Sequence, residues 1–169
     1  MDVLVILYSM QGHNTLALPK RELEQYISGY VDGEGCFSVS VTKRPKLRIG
    51  WEIKPSFCVG QNYDRREVLD IMHSYFSCGH IRRDWGDKTL KYEVRKAEDL
   101  STKIIPHFLK FPLLSAKQND FLIFADICKK MYCGEHHTKI GLRKILKLAY
   151  EMNGSGKRKL SLESILNTL

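Results

Sequence analysis

The residues best equipped to do chemistry stand together at Asp32-Gly33-Glu34-Gly35. Two carboxylates, one residue apart, sit in a glycine-rich turn. Such oxygen groups bind hard divalent cations and exchange protons. The five cysteines are a weaker candidate. Cys36, Cys58, Cys78, Cys128 and Cys133 are odd in number and widely spaced, with no C-x-x-C pair. That argues for reduced thiols in an intracellular compartment, against a disulfide framework or a zinc site. Cys128 and Cys133 with His136 and His137 could suggest a metal, but buried cysteines and surface histidines are the simpler reading.

The elements around the two acids follow from periodicity. Pro19 and Glu22 mark a helix start near Leu18, and the helix runs to about Asp32. Leu23, Tyr26, Ile27 and Tyr30 form its apolar stripe. Gly29 and Gly33 lie four apart on one face. Each costs roughly 1 kcal/mol of helix propensity against alanine, so a pair of them suggests close packing of two backbones. From Cys36 the pattern switches to period two, so a helix runs straight into a sheet with acids at the joint. Phe37, Val39 and Val41 face one way, and Ser38, Ser40, Thr42 and Arg44 the other. The tip is Arg44-Pro45-Lys46-Leu47. The return strand, 48–59, puts Ile49, Trp51, Ile53, Pro55, Phe57 and Val59 inward and Arg48, Gly50, Glu52, Lys54, Ser56 and Cys58 outward. Pro55 in mid-strand implies an edge or a bulge there.

A second helix, 64–76, leads to a second hairpin. In it Leu90, Tyr92 and Val94 face inward, and Thr89, Lys91, Glu93 and Arg95 face outward beside Arg82 and Asp84. Helices follow at about 97–109, 115–131, 138–152 and 160–169, with a basic loop Lys157-Arg158-Lys159 before the last. The pattern helix–strand–strand occurs twice, over 18–60 and 64–95. The class is α+β with an αββαββα core, a four-stranded antiparallel sheet and C-terminal helices, all in one domain from 18 to 169. Residues 1–17 are an extension. Their apolar run Val3-Leu4-Val5-Ile6-Leu7-Tyr8 is too short to cross a bilayer and lacks the features of a signal or transit peptide. No membrane partner is expected.

The 169 residues are 43% hydrophobic and 10% aromatic, which excludes a disordered chain. A net charge of +8 favours a polyanionic partner. An antiparallel ribbon fits the DNA major groove, where hydroxyls, arginine, lysine and carboxylates read base edges. The outward face holds few aromatics, unlike a sheet that stacks RNA bases.

These residues carry a family resemblance. Ile27-Ser28-Gly29-Tyr30-Val31-Asp32-Gly33-Glu34-Gly35 resembles the motif of the LAGLIDADG homing endonucleases, with Ser28, Gly33 and Glu34 as variants on its name. The resemblance extends over 20–169. It takes in the element order, Gln61 followed by Arg65-Arg66, and Phe111-Pro112-Leu113-Leu114-Ser115-Ala116-Lys117-Gln118-Asn119. One motif copy places the chain beside the single-motif, homodimeric members typical of chloroplast introns. The resemblance implies an intron-encoded, Mg²⁺-dependent endonuclease with a saddle-shaped sheet. It would make a double-strand break in a long pseudo-palindromic DNA site. It implies catalytic roles for Glu34, Gln61, Arg65 and Lys117, with Ser115 the other residue that could hold the lysine position. Glu34 and the Gly33 carbonyl would hold metal, and Asp32 would support the interface. DNA contacts map to Ser38, Ser40, Thr42, Arg44, Arg48, Glu52, Lys54, Ser56, Arg82, Lys91, Glu93, Arg95, Lys157, Arg158 and Lys159. The dimer contact maps to Ile27, Gly29, Tyr30 and Gly33. The implied compartment is a chloroplast, a mitochondrion or a bacterial cytoplasm. Two rivals share the fold: a maturase acting on host intron RNA, and a regulator that binds DNA without cutting it. The set Glu34, Gln61 and Arg65 weighs against both.

Overall fold

A computed structural model describes residues 4–6, 17–86, 88–154, 156 and 158–169. Two short strands, β1 (Leu4–Ile6) and β2 (Ala17–Pro19), pair antiparallel. The expected domain start at residue 18 therefore falls inside β2. Helix α1 (Lys20–Glu34) follows and passes without a linker into β3 (Gly35–Lys43). β3 pairs with β4 (Trp51–Asn62), and a 3₁₀ turn (Tyr63–Arg65) leads to α2 (Glu67–Phe76). The hairpin β5 (His80–Arg83) and β6 (Thr89–Val94) completes an antiparallel sheet of order β3-β4-β6-β5. The expected class and strand pairing hold.

The first turn is longer than the sequence indicated. Arg44 and Gly50 close it, the Arg44 N–H donating to the Gly50 carbonyl at 2.7 Å. Gly50 has a φ of +79°, a left-handed conformation that suits glycine. β4 therefore starts at Trp51, and Arg48 lies in the turn, not on the strand. Pro55 is tolerated because β6 pairs with β4 only from Phe57 onward. At Pro55 the strand has one neighbour, so a missing N–H on the other side costs nothing.

Alternation in the strands decides the layers. Phe37, Val39, Trp51, Ile53, Phe57, Val59, Leu90, Tyr92 and Val94 are all buried. They meet Leu23, Ile27 and Val31 of α1, and Leu69, Met72 and Phe76 of α2. The third helical region is not one regular helix. It runs from α3 (Ala97–Asp99) through a π-helical segment (Leu100–Ile104) into α4 (Ile105–Lys110). Pro106 has no N–H to close the ordinary α bond, and the wider turns before it absorb that loss. Helices α5 (Lys117–Tyr132), α6 (Lys139–Glu151) and α7 (Leu162–Leu166) finish the helical layer. Thr138 caps α6, its hydroxyl accepting from the Gly141 N–H at 3.0 Å. No helix among the described residues is long and apolar enough to cross a membrane.

Phe37 is the hub of the core. Its ring lies 5.2–5.5 Å, centroid to centroid, from Phe57, Phe108, Phe121 and Phe124, so β4, α4 and α5 all close on β3 there. Truncating it leaves a cavity whose walls are rings held by three separate elements and so unable to collapse. Phe37→Ala is expected to cost about 3–5 kcal/mol of stability, read as a lower midpoint in urea unfolding at unchanged slope.

Candidate active site and nucleic-acid interface

The end of α1 is the centre of the site. The helix closes at Glu34, and the Gly35 N–H donates to the Val31 carbonyl. A Cβ at Gly35 would meet the Val31 Cγ1 at 2.5 Å and the Val31 carbonyl oxygen at 2.7 Å. Only glycine lets the chain turn from helix to strand in a single step. Gly33 and Glu34 are exposed at this end.

The end of α1 and the start of α5 hold one another. The Lys117 ammonium donates to the carbonyls of Val31 at 3.0 Å, Asp32 at 2.8 Å and Gly33 at 3.4 Å. A cation there bonds the last carbonyls of the helix, of which Val31's is shared with the Gly35 N–H, and opposes the negative end of its dipole. In return, the Asp32 carboxylate accepts from the N–H groups of Leu114 and Ser115, both at 3.0 Å, and from the Ser115 hydroxyl. Desolvation pushes the Asp32 carboxyl upward. The bonds from Ser115 and Leu114 and the Lys117 charge outweigh it and hold the pKa below its ordinary value. Of the two residues open for the lysine position, Lys117 brings its ammonium to the site, and Ser115 bonds to Asp32.

Gln61 and Tyr30 meet beside this end. Gln61 donates from its amide nitrogen to the Tyr30 hydroxyl, and its amide oxygen accepts from the Asn62 N–H at 2.7 Å. Burial raises the Tyr30 pKa, and the neighbouring Glu34 and Tyr26 charges add to the rise. Tyr30, assigned by sequence to the dimer contact, thus lies within the electrostatic reach of Glu34. Arg65 is exposed in the 3₁₀ turn just beyond Asn62.

The inner face of α1 is fastened by a polar chain that the sequence did not signal. The Ser28 hydroxyl donates to the Phe111 carbonyl at 2.7 Å and lies 3.2 Å from His107 Nε2. His107 Nδ1 is 3.0 Å from the Tyr75 hydroxyl, which donates to Glu24 at 3.2 Å. Burial, then the Lys110 charge, pulls the His107 pKa down to about 4. One assignment changes here. Ile27 is fully buried in this chain's own core and cannot reach a second copy. Tyr26, read as core, is 46% exposed instead. Gly29 and Gly33 are exposed, and a Cβ at either would meet nothing within 4 Å.

The polar sheet face is ordered by ion pairs. Glu93 is buried, with Arg82 at 3.0 Å, Arg95 at 2.9 Å and the Ser56 hydroxyl at 3.1 Å. Burial pushes its pKa up, but the bonds from Arg82 and Ser56 and the Arg95 charge leave it below the usual glutamate value. Lys91 pairs with Asp84 at 2.6 Å. Farther out, Glu52 takes Arg44 at 2.9 Å and Lys54 at 3.0 Å. Ser38 is half-buried, and Ser40 and Thr42 are exposed on β3. Cys36 and Cys58 stand directly opposite one another. The hydrogen bond between them makes Cys36 the more acidic thiol, with Lys117 nearby adding to the effect.

Two expected DNA contacts are otherwise engaged. The Arg48 guanidinium donates to the His137 carbonyl at 2.7 Å. Arg158 donates to the carbonyls of Val39, at 3.1 Å, and Ala149, and packs on the Tyr150 ring at 4.6 Å. Arg158 thus ties the chain after α6 to β3. Lys159 is exposed, and Lys157 lies outside the described residues.

A family model described as LAGLIDADG endonuclease matches residues 27–128. The chain is 33% identical over 129 residues to the probable intron-encoded endonuclease 2 of Neurospora crassa, covering 76% of this chain and 28% of that protein. It is 30% identical over 153 residues to the homing endonuclease I-ApeII of Aeropyrum pernix, covering 87% of this chain and 90% of that protein. The fold superposes on the archaeal intron-encoded homing endonuclease I-Vdi141I, solved in complex with DNA, with a TM-score of 0.82 and 31% identity. That match covers 88% of this chain and 95% of the other. The chain spans 28% and 25% of the length of the first two curated relatives it matches.

The Asp32 clamp has an acid signature. A carboxylate whose folded pKa is depressed contributes stability that is present above its ordinary value of 3.8 and is lost as pH falls through the lower folded value. Asp32→Asn removes that dependence. In urea unfolding between neutral pH and pH 2, about the acid limit of a paired carboxylate, the gap between wild type and variant is expected to close below the ordinary aspartate value.

Proposed function

Because this chain belongs to the LAGLIDADG endonuclease family, we propose that it is an intron-encoded homing endonuclease that binds double-stranded DNA as a homodimer and cuts both strands with a divalent metal. One observation carries this reading. The single exposed carboxylate at the end of α1, Glu34, stands beside the Lys117 clamp and the Gln61–Tyr30 pair, at the margin of a polar, charged sheet face.

The donor set suits a hard cation. Glu34 offers a carboxylate and Gly33 a carbonyl oxygen, both on an exposed helix end. Mg²⁺ takes one or two protein carboxylates and keeps several waters. One acid per chain therefore matches a site shared by two copies. The ion, when bound, would neutralise charge at a phosphate and lower the pKa of a bound water. Lys117 keeps the carbonyls of Val31, Asp32 and Gly33 in place and adds positive charge near the phosphates. Both ends of the Gln61 amide are bonded, which holds its direction, and its second amide N–H can orient a water. Arg65 is free to reach a phosphate from its exposed turn.

The bare faces of Gly29 and Gly33 support the homodimer. Space stands where a side chain would be, on a helix whose other face is fastened to the core. Two such helices related by a two-fold axis can approach closely, and the polar faces then read two half-sites. Ser38, Ser40 and Thr42 would meet base edges, while the arginines around Glu93 present a fixed pattern of donors. Lys159 would contact a phosphate.

Glu34→Gln keeps the shape and removes the charge. On a duplex carrying the uninterrupted insertion site of the host gene, with Mg²⁺, the wild type is expected to cut both strands. The variant is expected to shift the same duplex in a gel without cutting it, and cleavage by the variant at the wild-type rate would refute the assignment. Gly29→Leu places a side chain in open space in the single chain, so the fold is expected to persist with the dimer lost. Sedimentation equilibrium reads that directly, and an unchanged dimer would remove this face from the contact.

A further inference from the structure

Three side chains outside the assigned set form a cluster at the end of the sheet. Arg83 closes β5, opposite Leu90. Trp85 stands in the turn between β5 and β6, and Tyr63 opens the 3₁₀ turn that leaves β4. The Arg83 guanidinium carbon lies 4.8 Å from the centre of the Trp85 ring and 5.5 Å from that of Tyr63. The cation is therefore in contact with both rings. Both rings nevertheless stay in water, Trp85 at 83% exposure and Tyr63 at 58%. A single exposed aromatic needs no explanation. Two gathered on one arginine form an ordered apolar surface with a charge at its centre, as binding surfaces do.

The place of the cluster selects its partner. β4 runs through Gln61 and Asn62 directly into Tyr63, and Arg65 follows. The cluster is thus continuous with the Gln61–Arg65 edge of the candidate site, Arg83 sharing one cross-strand row with Leu90 and Gln61 on the helix-facing side of the sheet. The surrounding charge is mixed, and the arginine of the cluster adds a cation to it. Arg65 and Lys88 are exposed, and of the nearby acids Asp84 is paired with Lys91 and Asp70 with Arg66. Asp64 is exposed in the 3₁₀ turn, and Glu67 is exposed at the start of α2. A guanidinium matches a phosphate in shape and charge. Aromatic faces pack on the sugars and bases beside it whatever their sequence.

We infer that Tyr63, Arg83 and Trp85 form a double-stranded DNA contact, with the Arg83 guanidinium on a backbone phosphate and the two rings against the neighbouring sugars. This extends the interface beyond the outward-facing strand residues to the edge of the catalytic end. The inference rests on the DNA-binding reading proposed above.

The two kinds of contact have different salt signatures, which the test exploits. The probe is a fluorescein-labelled duplex of random sequence, titrated by anisotropy across a salt series. Trp85→Ala removes area without charge and is expected to weaken binding on the order of tenfold with an unaltered slope of log affinity against log salt. Arg83→Ala removes one phosphate contact and is expected to lower that slope by about 0.9. The duplex is also expected to protect wild-type Trp85 from acrylamide quenching; Trp51, at 8% exposure, contributes little to that signal. Wild-type affinity and slope in both variants, or a Trp85 that stays equally quenchable in the complex, would overturn the cluster as a contact while leaving the DNA reading intact. Failure of the wild type to bind the duplex at all would overturn the DNA reading and this inference together. Both side chains are exposed, so the variants are expected to keep the wild-type circular dichroism, which separates a lost contact from a lost fold.

Discussion

The molecule depends on the reciprocal clamp between the last turn of α1 and the first turn of α5. Lys117 reaches forward to three carbonyls of α1, and Asp32 reaches back to two amides and a hydroxyl ahead of α5. Each helix thereby supplies what the other lacks at its terminus. The C-terminal carbonyls of α1 gain a cation, and the chain entering α5 gains an acceptor. Cut from this clamp, the last turn of α1 would fray as helix ends do. Glu34 would then have no fixed direction.

Much of the polar sheet face is built in the same manner, by pairing before any partner arrives. Glu93 is the clearest case. A lone buried carboxylate would be costly, and here two arginines and a serine hydroxyl satisfy it. The arginines in turn lose freedom, so less order remains to be imposed when the face meets an anionic surface. The single thiol pair across β3 and β4 and the Asp84–Lys91 bridge lie on the same face. The face is therefore a lattice of fixed donors and acceptors, and only β3 and the outer turn carry side chains that remain loosely held.

The legible parts of this architecture were those set by local period. Alternation in 36–44 and 89–95 named the buried residues of β3 and β6, because a strand with one face in the core leaves no other choice. Asp32 and Glu34 were separable in role from motif resemblance, and the geometry gives Asp32 the tie to Ser115. What stayed hidden was set by contacts distant in sequence. Arg158 looked like a phosphate ligand because it sits in a basic run, yet its partners are carbonyls on β3 and α6. Tyr26 and Ile27 are neighbours on a helix, and only tertiary packing decides which one faces the core. The polar chain from Ser28 through His107 and Tyr75 to Glu24 joins residues up to 79 apart, and no spacing rule announces it. The Tyr63–Arg83–Trp85 cluster escaped notice for the same reason, since only the fold brings a strand end and two turns together.

The direct passage from α1 into β3 sets where this chain can change length. One residue inserted between Val31 and Gly35 would rotate Glu34 by about 100° around the helix axis. It would also send every side chain of β3 to the opposite face of the sheet. No loop lies between the two to absorb the error. The turn from Arg44 to Gly50 is the opposite case, exposed along most of its length and bound mainly to itself. Insertions and deletions among natural variants should therefore accumulate at that turn, while the stretch from Gly29 to Cys36 keeps one fixed length.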